Sequence, residues 1–114
     1  ALHGQTPQET AALSVLHGNC GSCHRPEGPL GALGLHLRHP ASGASPVLPT
    51  ARLRAALVPF PGAAHRITPG QPQASALVRR MERRGDSLQM PPIGTALPDV
   101  QGLAKVRTWI AGLK

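Results

Sequence analysis

Cys20-Gly21-Ser22-Cys23-His24 is the stretch on which the reading of this chain turns. Two thiols stand two residues apart, and an imidazole follows the second directly. That order is the attachment sequence of a c-type haem. The thiols add across the two vinyl groups of the porphyrin and leave thioether bonds, and the intervening pair of residues sets the sulfurs at the separation of those vinyls. Gly21 and Ser22 are small enough for the turn to close against a ring. His24 comes next in line to place an imidazole nitrogen on the iron as proximal ligand. Cys20 and Cys23 are the chain's only cysteines, so the motif uses the whole cysteine content.

Three other readings of the same residues stand beside this one. A redox-active C-x-x-C belongs in a strand-helix-strand setting, and no such alternation is visible. A structural zinc ion needs four ligands at fixed spacing. Cys20, Cys23 and a further histidine supply part of that set, but no second C-x-x-C or H-x3-5-H pair completes it, since only two residues separate His36 from His39. Chance occurrence is the third.

At 114 residues the chain has room for one domain, residues 1–114, with a modest core. Hydrophobic residues make up 40%, but with one Phe, one Trp and no Tyr the apolar content is mostly small aliphatics. A macrocycle would make good that shortage, because it is itself a large flat apolar group. Thirteen Pro and thirteen Gly predict short helices separated by long irregular stretches. No apolar run approaches the ~18 residues that suggest a membrane span. The formal charge of +7 suits nucleic acid, anionic lipid or an acidic protein partner. Nucleic acid is disfavoured by the lack of aromatics for base stacking and of any reading motif.

Thr6-Pro7-Gln8-Glu9 is a capping box with proline at the first helical position. It predicts a helix that buries Ala12, Leu13 and Leu16, reaches His17 and ends at Gly18. His17 is expected to be a partly exposed helix residue. After His24, the Pro29 carbonyl is the candidate acceptor for the second ring nitrogen, a bond that would fix ring orientation and ligand basicity. Leu30, Leu33, Leu35 and Leu37 would line the ring on this side, with His36 and His39 as loop residues. A surface loop is expected over 40–49, then a short helix from Thr50 with Leu53, Ala56 and Leu57 inward and Arg52 and Arg54 outward. Of the spare histidines, His65 is the one best placed for ligation. A helix over 72–84 would bury Leu77, Val78 and Met81 and turn Arg79, Arg80, Arg83 and Arg84 to the other side. The last helix opens near Pro98-Asp99 and carries Leu103, Val106, Ile110 and Leu113 at helical spacing, with Trp109 directed towards the first helix or the haem edge.

Leu88-Gln89-Met90-Pro91-Pro92 cannot be helix or central strand, because successive prolines remove donors and forbid helical geometry at Met90. A methionine fixed in such a loop is a poor gap-filler and a good soft ligand, so Met90 is read as the distal iron ligand, with packing as the alternative.

The order of these pieces resembles the class I cytochrome c fold, and more narrowly bacterial monohaem c-type domains found alone or fused to exported dehydrogenases. The resemblance rests on Asn19-Cys20 through His24, on Pro69-Gly70-Gln71-Pro72 with Ser75 to Met81, on Met90-Pro91-Pro92 with Gly94, and on Trp109-Ile110. It implies an all-α domain around one covalent haem c, with axial ligands His24 and Met90, periplasmic or otherwise exported. Ala1 would then follow a removed export signal, a cloning boundary or a larger protein. The expected function is a carrier of single electrons between redox proteins rather than an enzyme. The alternatives are an electron-entry domain of a larger oxidoreductase and a haem sensor with a displaceable methionine. Arg79, Arg80, Arg83 and Arg84 are the expected docking cluster for an acidic partner, unless some of them hold haem propionates.

Overall fold

Thr6 begins the first helix as its pattern predicts. Its hydroxyl accepts the Glu9 N–H at 3.1 Å, filling one of the amide groups that a helix start leaves unpaired. The computed structural model describes residues 6–21, 23–27, 31–40, 44–58, 60–85, 89–90 and 99–114. Among these there are four α-helices and no strand: α1 (Pro7–Cys20), α2 (Val47–Ala51), α3 (Ala76–Glu82) and α4 (Val100–Ala111), with short 3-10 turns at Gly31–Leu33 and Pro72–Ala74. The fold is all-α. No helix among the described residues is long and apolar enough to cross a membrane.

α1 and α4 form the main helix pair. Ala12, Leu13 and Leu16 of α1 meet Leu103, Val106, Trp109 and Ile110 of α4 in one buried cluster. Trp109 turns towards α1, where its indole N–H donates to the Glu9 carboxylate at 3.3 Å. Asp99 caps α4 by accepting the Gly102 N–H at 2.9 Å and is also reached by the Asn19 amide at the far end of α1. Gly102 lets the two helices approach, since a Cβ there would collide with the Asp99 carboxylate and lie 3.0 Å from Val15 Cγ1.

Three elements differ from the sequence expectation. α1 does not stop at Gly18 but continues to Cys20, because its end is held by packing on α4 and by the Gly21 N–H returning to the His17 carbonyl at 3.2 Å. The helix expected from Thr50 lies one turn earlier. Beyond Ala51 the backbone leaves helical geometry to pair with a distant segment: Leu53 N–H donates to Ile67 O, Arg66 N–H to Arg54 O and Ile67 N–H to Ala51 O. Leu53 takes the left-handed conformation (φ 54°) in this crossing. It and Leu57 are exposed rather than buried, a correction to the predicted inward face.

The helix expected over 72–84 is broken at Ser75, which is extended and buried. Its hydroxyl accepts from Thr68 N–H and donates to Gln71 O, both at 2.9 Å, and so holds the turn instead of a helical register. The N-terminal amides of α3 are then filled from outside, Ala76 N–H by His65 O and Leu77 N–H by Arg66 O. Leu77, Val78 and Met81 are buried as the stripe predicts.

Candidate functional site

The C-terminal turn of α1 delivers the attachment stretch. Cys20 is the last helical residue, and its carbonyl accepts the N–H of Cys23 at 3.2 Å and of His24 at 2.9 Å. The chain therefore folds back directly after the helix. The segment beyond the motif is laid against this turn by two bonds, Leu37 N–H to His24 O at 2.8 Å and His39 N–H to His17 Nδ1 at 2.9 Å. Gly21 is required here for a different reason from the one its size suggested. A Cβ would fall 2.8 Å from the His17 carbonyl oxygen and 2.9 Å from Arg38 Cα, so the returning chain itself excludes a side chain. Ser22, Pro29 and Leu30 lie outside the described residues, as do Pro91 and Pro92.

Cys20, Cys23 and His24 open onto a largely apolar cavity of about 250 Å³. One wall is Leu33, Leu35 and Leu37, as the sequence predicts. The other comes from α3 and the chain beyond it, with Leu77, Met81 and Met90. Residues remote in sequence thus meet at one space: both thiols, the imidazole that follows them and the Met90 thioether. Met81 belongs to the core cluster, as read, and also reaches the cavity wall. His65, the alternative ligand, does not line it.

The electrostatics of the motif suit a neutral set of donors. Burial, reinforced by the neighbouring Cys23 charge, pushes the Cys20 thiol up to about 11. A redox-active C-x-x-C depends on the opposite shift, a thiolate stabilised near neutrality, so this environment disfavours the thiol-redox alternative. The two cysteines are not joined by a disulfide. Burial lowers the His24 pKa; the nearby Leu35 backbone opposes this, while the charges of Arg66 and His36 add to it. The ring is therefore neutral at pH 7, the form that binds metal. His24 is 9% exposed, and its Nδ1 is buried with no hydrogen-bond partner among the described residues. No group of three or more His, Cys, Asp or Glu able to hold a metal occurs among the described residues.

Two arginines join the cavity wall: Arg66, which had no signal in the sequence, and Arg80, which was read there only as one of an arginine cluster. Arg66 is 9% exposed on the cavity wall, and its guanidinium donates to Leu33 O at 2.6 Å, Gly34 O at 3.0 Å and Thr50 O at 2.8 Å. It ties the chain after the motif to α2. A lone arginine in His65-Arg66-Ile67-Thr68 carries no periodicity and no neighbouring carboxylate to flag it. Arg80 also lines the cavity; it donates to Val58 O at 2.6 Å and stacks 5.8 Å from the Phe60 ring centroid. Leu57 and Val58 form the lip of the opening and are 64% and 58% exposed.

The expected arginine cluster is therefore not one uniform exposed face. Arg79 also stacks on Phe60, at 5.4 Å, and Arg84 reaches the Met90 carbonyl, while Arg83 is exposed. No family model, curated protein or solved structure matches this chain.

Proposed function

We propose that this chain is a monohaem c-type cytochrome of the class I fold, exported from the cytoplasm, which carries single electrons between redox proteins. The observation that carries the reading is the convergence of Cys20, Cys23, His24 and Met90 on one apolar cavity. Cys20 and Cys23 would hold the haem through thioether bonds, and His24 and Met90 would ligate its iron. When bound, the haem supplies a one-electron ferric/ferrous couple, and His/Met ligation raises its potential relative to a bis-histidine site.

The chain's own groups suit that role. The neutral His24 imidazole has its lone pair available. The leucines on one wall and Leu77 and Met81 on the other exclude water from the iron. Arg66 and Arg80 bring positive charge to an otherwise apolar pocket, which fits a flat cofactor bearing carboxylates. With His24 and Met90 both holding the iron, a substrate would find no open position on it, so the reading is a carrier rather than an enzyme.

Partners follow from charge and shape. Glu9, Glu27, Glu82 and Asp99 all have internal partners: Trp109, Arg25, Arg79 with Arg107, and the start of α4. The surface thus offers a net positive field to an acidic partner. The exposed lip of Leu57 and Val58 provides the apolar contact through which electrons would cross. The same lip suits an electron-entry domain working inside a larger oxidoreductase.

Optical spectra in both oxidation states test the reading. The ferrous protein should show the sharp bands of a low-spin c-type haem, unchanged by carbon monoxide, and the ferric protein a near-infrared sulfur-to-iron band. A spectrum without haem absorption in protein purified from a host able to mature c-type haem would refute it.

A further inference from the structure

Met90 enters the cavity from an irregular segment, yet its backbone is tied at both polar atoms. Its N–H donates to the Arg80 carbonyl at 2.9 Å, one of the carbonyls that the C-terminal turn of α3 leaves unpaired. Its own carbonyl accepts from Arg84 Nη1 at 3.4 Å. The residue before it, Gln89, is only 6% exposed, an unusual position for a glutamine. Its Oε1 accepts the Gly85 N–H at 2.9 Å. Gly85 has φ +93°, a conformation open to glycine and strained for other residues. The side chain of Gln89 therefore closes the excursion that begins where α3 ends and finishes at Met90.

We propose that Gln89 is a positioning residue for the distal ligand: with Gly85 it forms a latch that sets how far the Met90 thioether reaches into the cavity. The proposal rests on the reading of Met90 as an iron ligand. With the latch closed, Met90 is carried by three hydrogen bonds to the end of α3 and the glycine turn beyond it. With the Gln89 acceptor removed, the Gly85 turn loses its partner, and Met90 keeps only its bonds to Arg80 and Arg84. The sulfur then spends more time away from the iron, and small ligands from solvent find an open position more often.

The test uses the haem-loaded protein and imidazole as the probe. Gln89→Leu removes the acceptor at similar volume, and Gly85→Ala strains the same turn from its other end without meeting any atom within 4 Å. Both should weaken the sulfur-to-iron band of the ferric protein and speed imidazole binding roughly two- to tenfold, the range expected for losing one hydrogen bond. Measurement well below the unfolding temperature separates this from a general loss of stability. Should Gln89→Leu fail to fold, Gly85→Ala decides alone. Wild-type band and imidazole rates in the folded variants overturn the latch. Met90→Ala serves as the separate control: if the band survives it, the ligand reading fails and the latch with it.

Discussion

Replacing Arg66 by leucine perturbs the structure where the cavity wall and the fold depend on the same group. The guanidinium is buried, makes three hydrogen bonds to the carbonyls of Leu33, Gly34 and Thr50, and has no carboxylate partner among the described residues. Hydrogen bonds to a charged donor are each worth about 1.5–3 kcal/mol. The three share one group and will not add fully, and leucine recovers the cost of burying a cation. The expected net loss is about 1–3 kcal/mol, the cost of leaving a buried carbonyl acceptor unsatisfied. Small domains have only about 5–15 kcal/mol in total, so the effect should be plain in urea unfolding of the haem-loaded protein followed by circular dichroism. Arg66→Lys keeps the charge, but one ammonium group cannot span carbonyls from two chain segments, so it should recover only part of the loss. The charge itself favours the ferrous state, and Arg66→Leu should also lower the midpoint potential. A stability loss under about 1 kcal/mol in Arg66→Leu would show that these bonds bring no net stability, and the argument would fail.

Met90→Ala should abolish the sulfur-to-iron band and lower the potential, whereas Met81→Leu, a volume-conserving change at the other methionine on the cavity wall, should leave both intact; the reverse result would move the ligand to Met81. Gly102→Ala should destabilise by about 1–3 kcal/mol in thermal unfolding, because the overpacking cost and the disturbed Asp99 cap exceed the ~1 kcal/mol gain in helix propensity; a stabilised variant would mean that α1 and α4 are not held as close as Gly102 allows. Electron transfer with an acidic partner should slow as salt rises, and Arg83→Glu, at an exposed position, should slow it further with an unchanged spectrum; stopped-flow rates flat with salt would show that docking is purely apolar.

The parts legible in the sequence are those fixed by local chemistry. Thr6 and Asp99 announce helix starts because capping needs only a side-chain oxygen and the amides just ahead of it. The apolar spacing in α1 and α4 records their buried faces for the same local reason. The motif residues and Met90 stand out in the sequence because each is chemically unusual where it stands, a thiol pair before a histidine and a methionine before two prolines, and the fold brings them to one cavity. What stayed hidden depends on distant chain. Gly18 looks like a helix end, yet the helix runs on because α4 packs against it. Leu53 and Leu57 look like a buried face, but the backbone after Ala51 is drawn away to pair with Arg66 and Ile67. Ser75 looks helical and is recruited by Thr68 and Gln71. Arg66 acts only on carbonyls contributed by segments far from it in sequence, and no local pattern encodes that.

The central claim is covalent attachment of one haem through Cys20 and Cys23, and intact mass spectrometry of the denatured protein tests it most directly. Protein from a host that matures c-type haem should have the mass of the chain plus one haem, and Cys20→Ala with Cys23→Ala should return it to the bare chain. A bare-chain mass for the unaltered protein, with the two thiols free, joined as a disulfide or bound to zinc, would contradict the account.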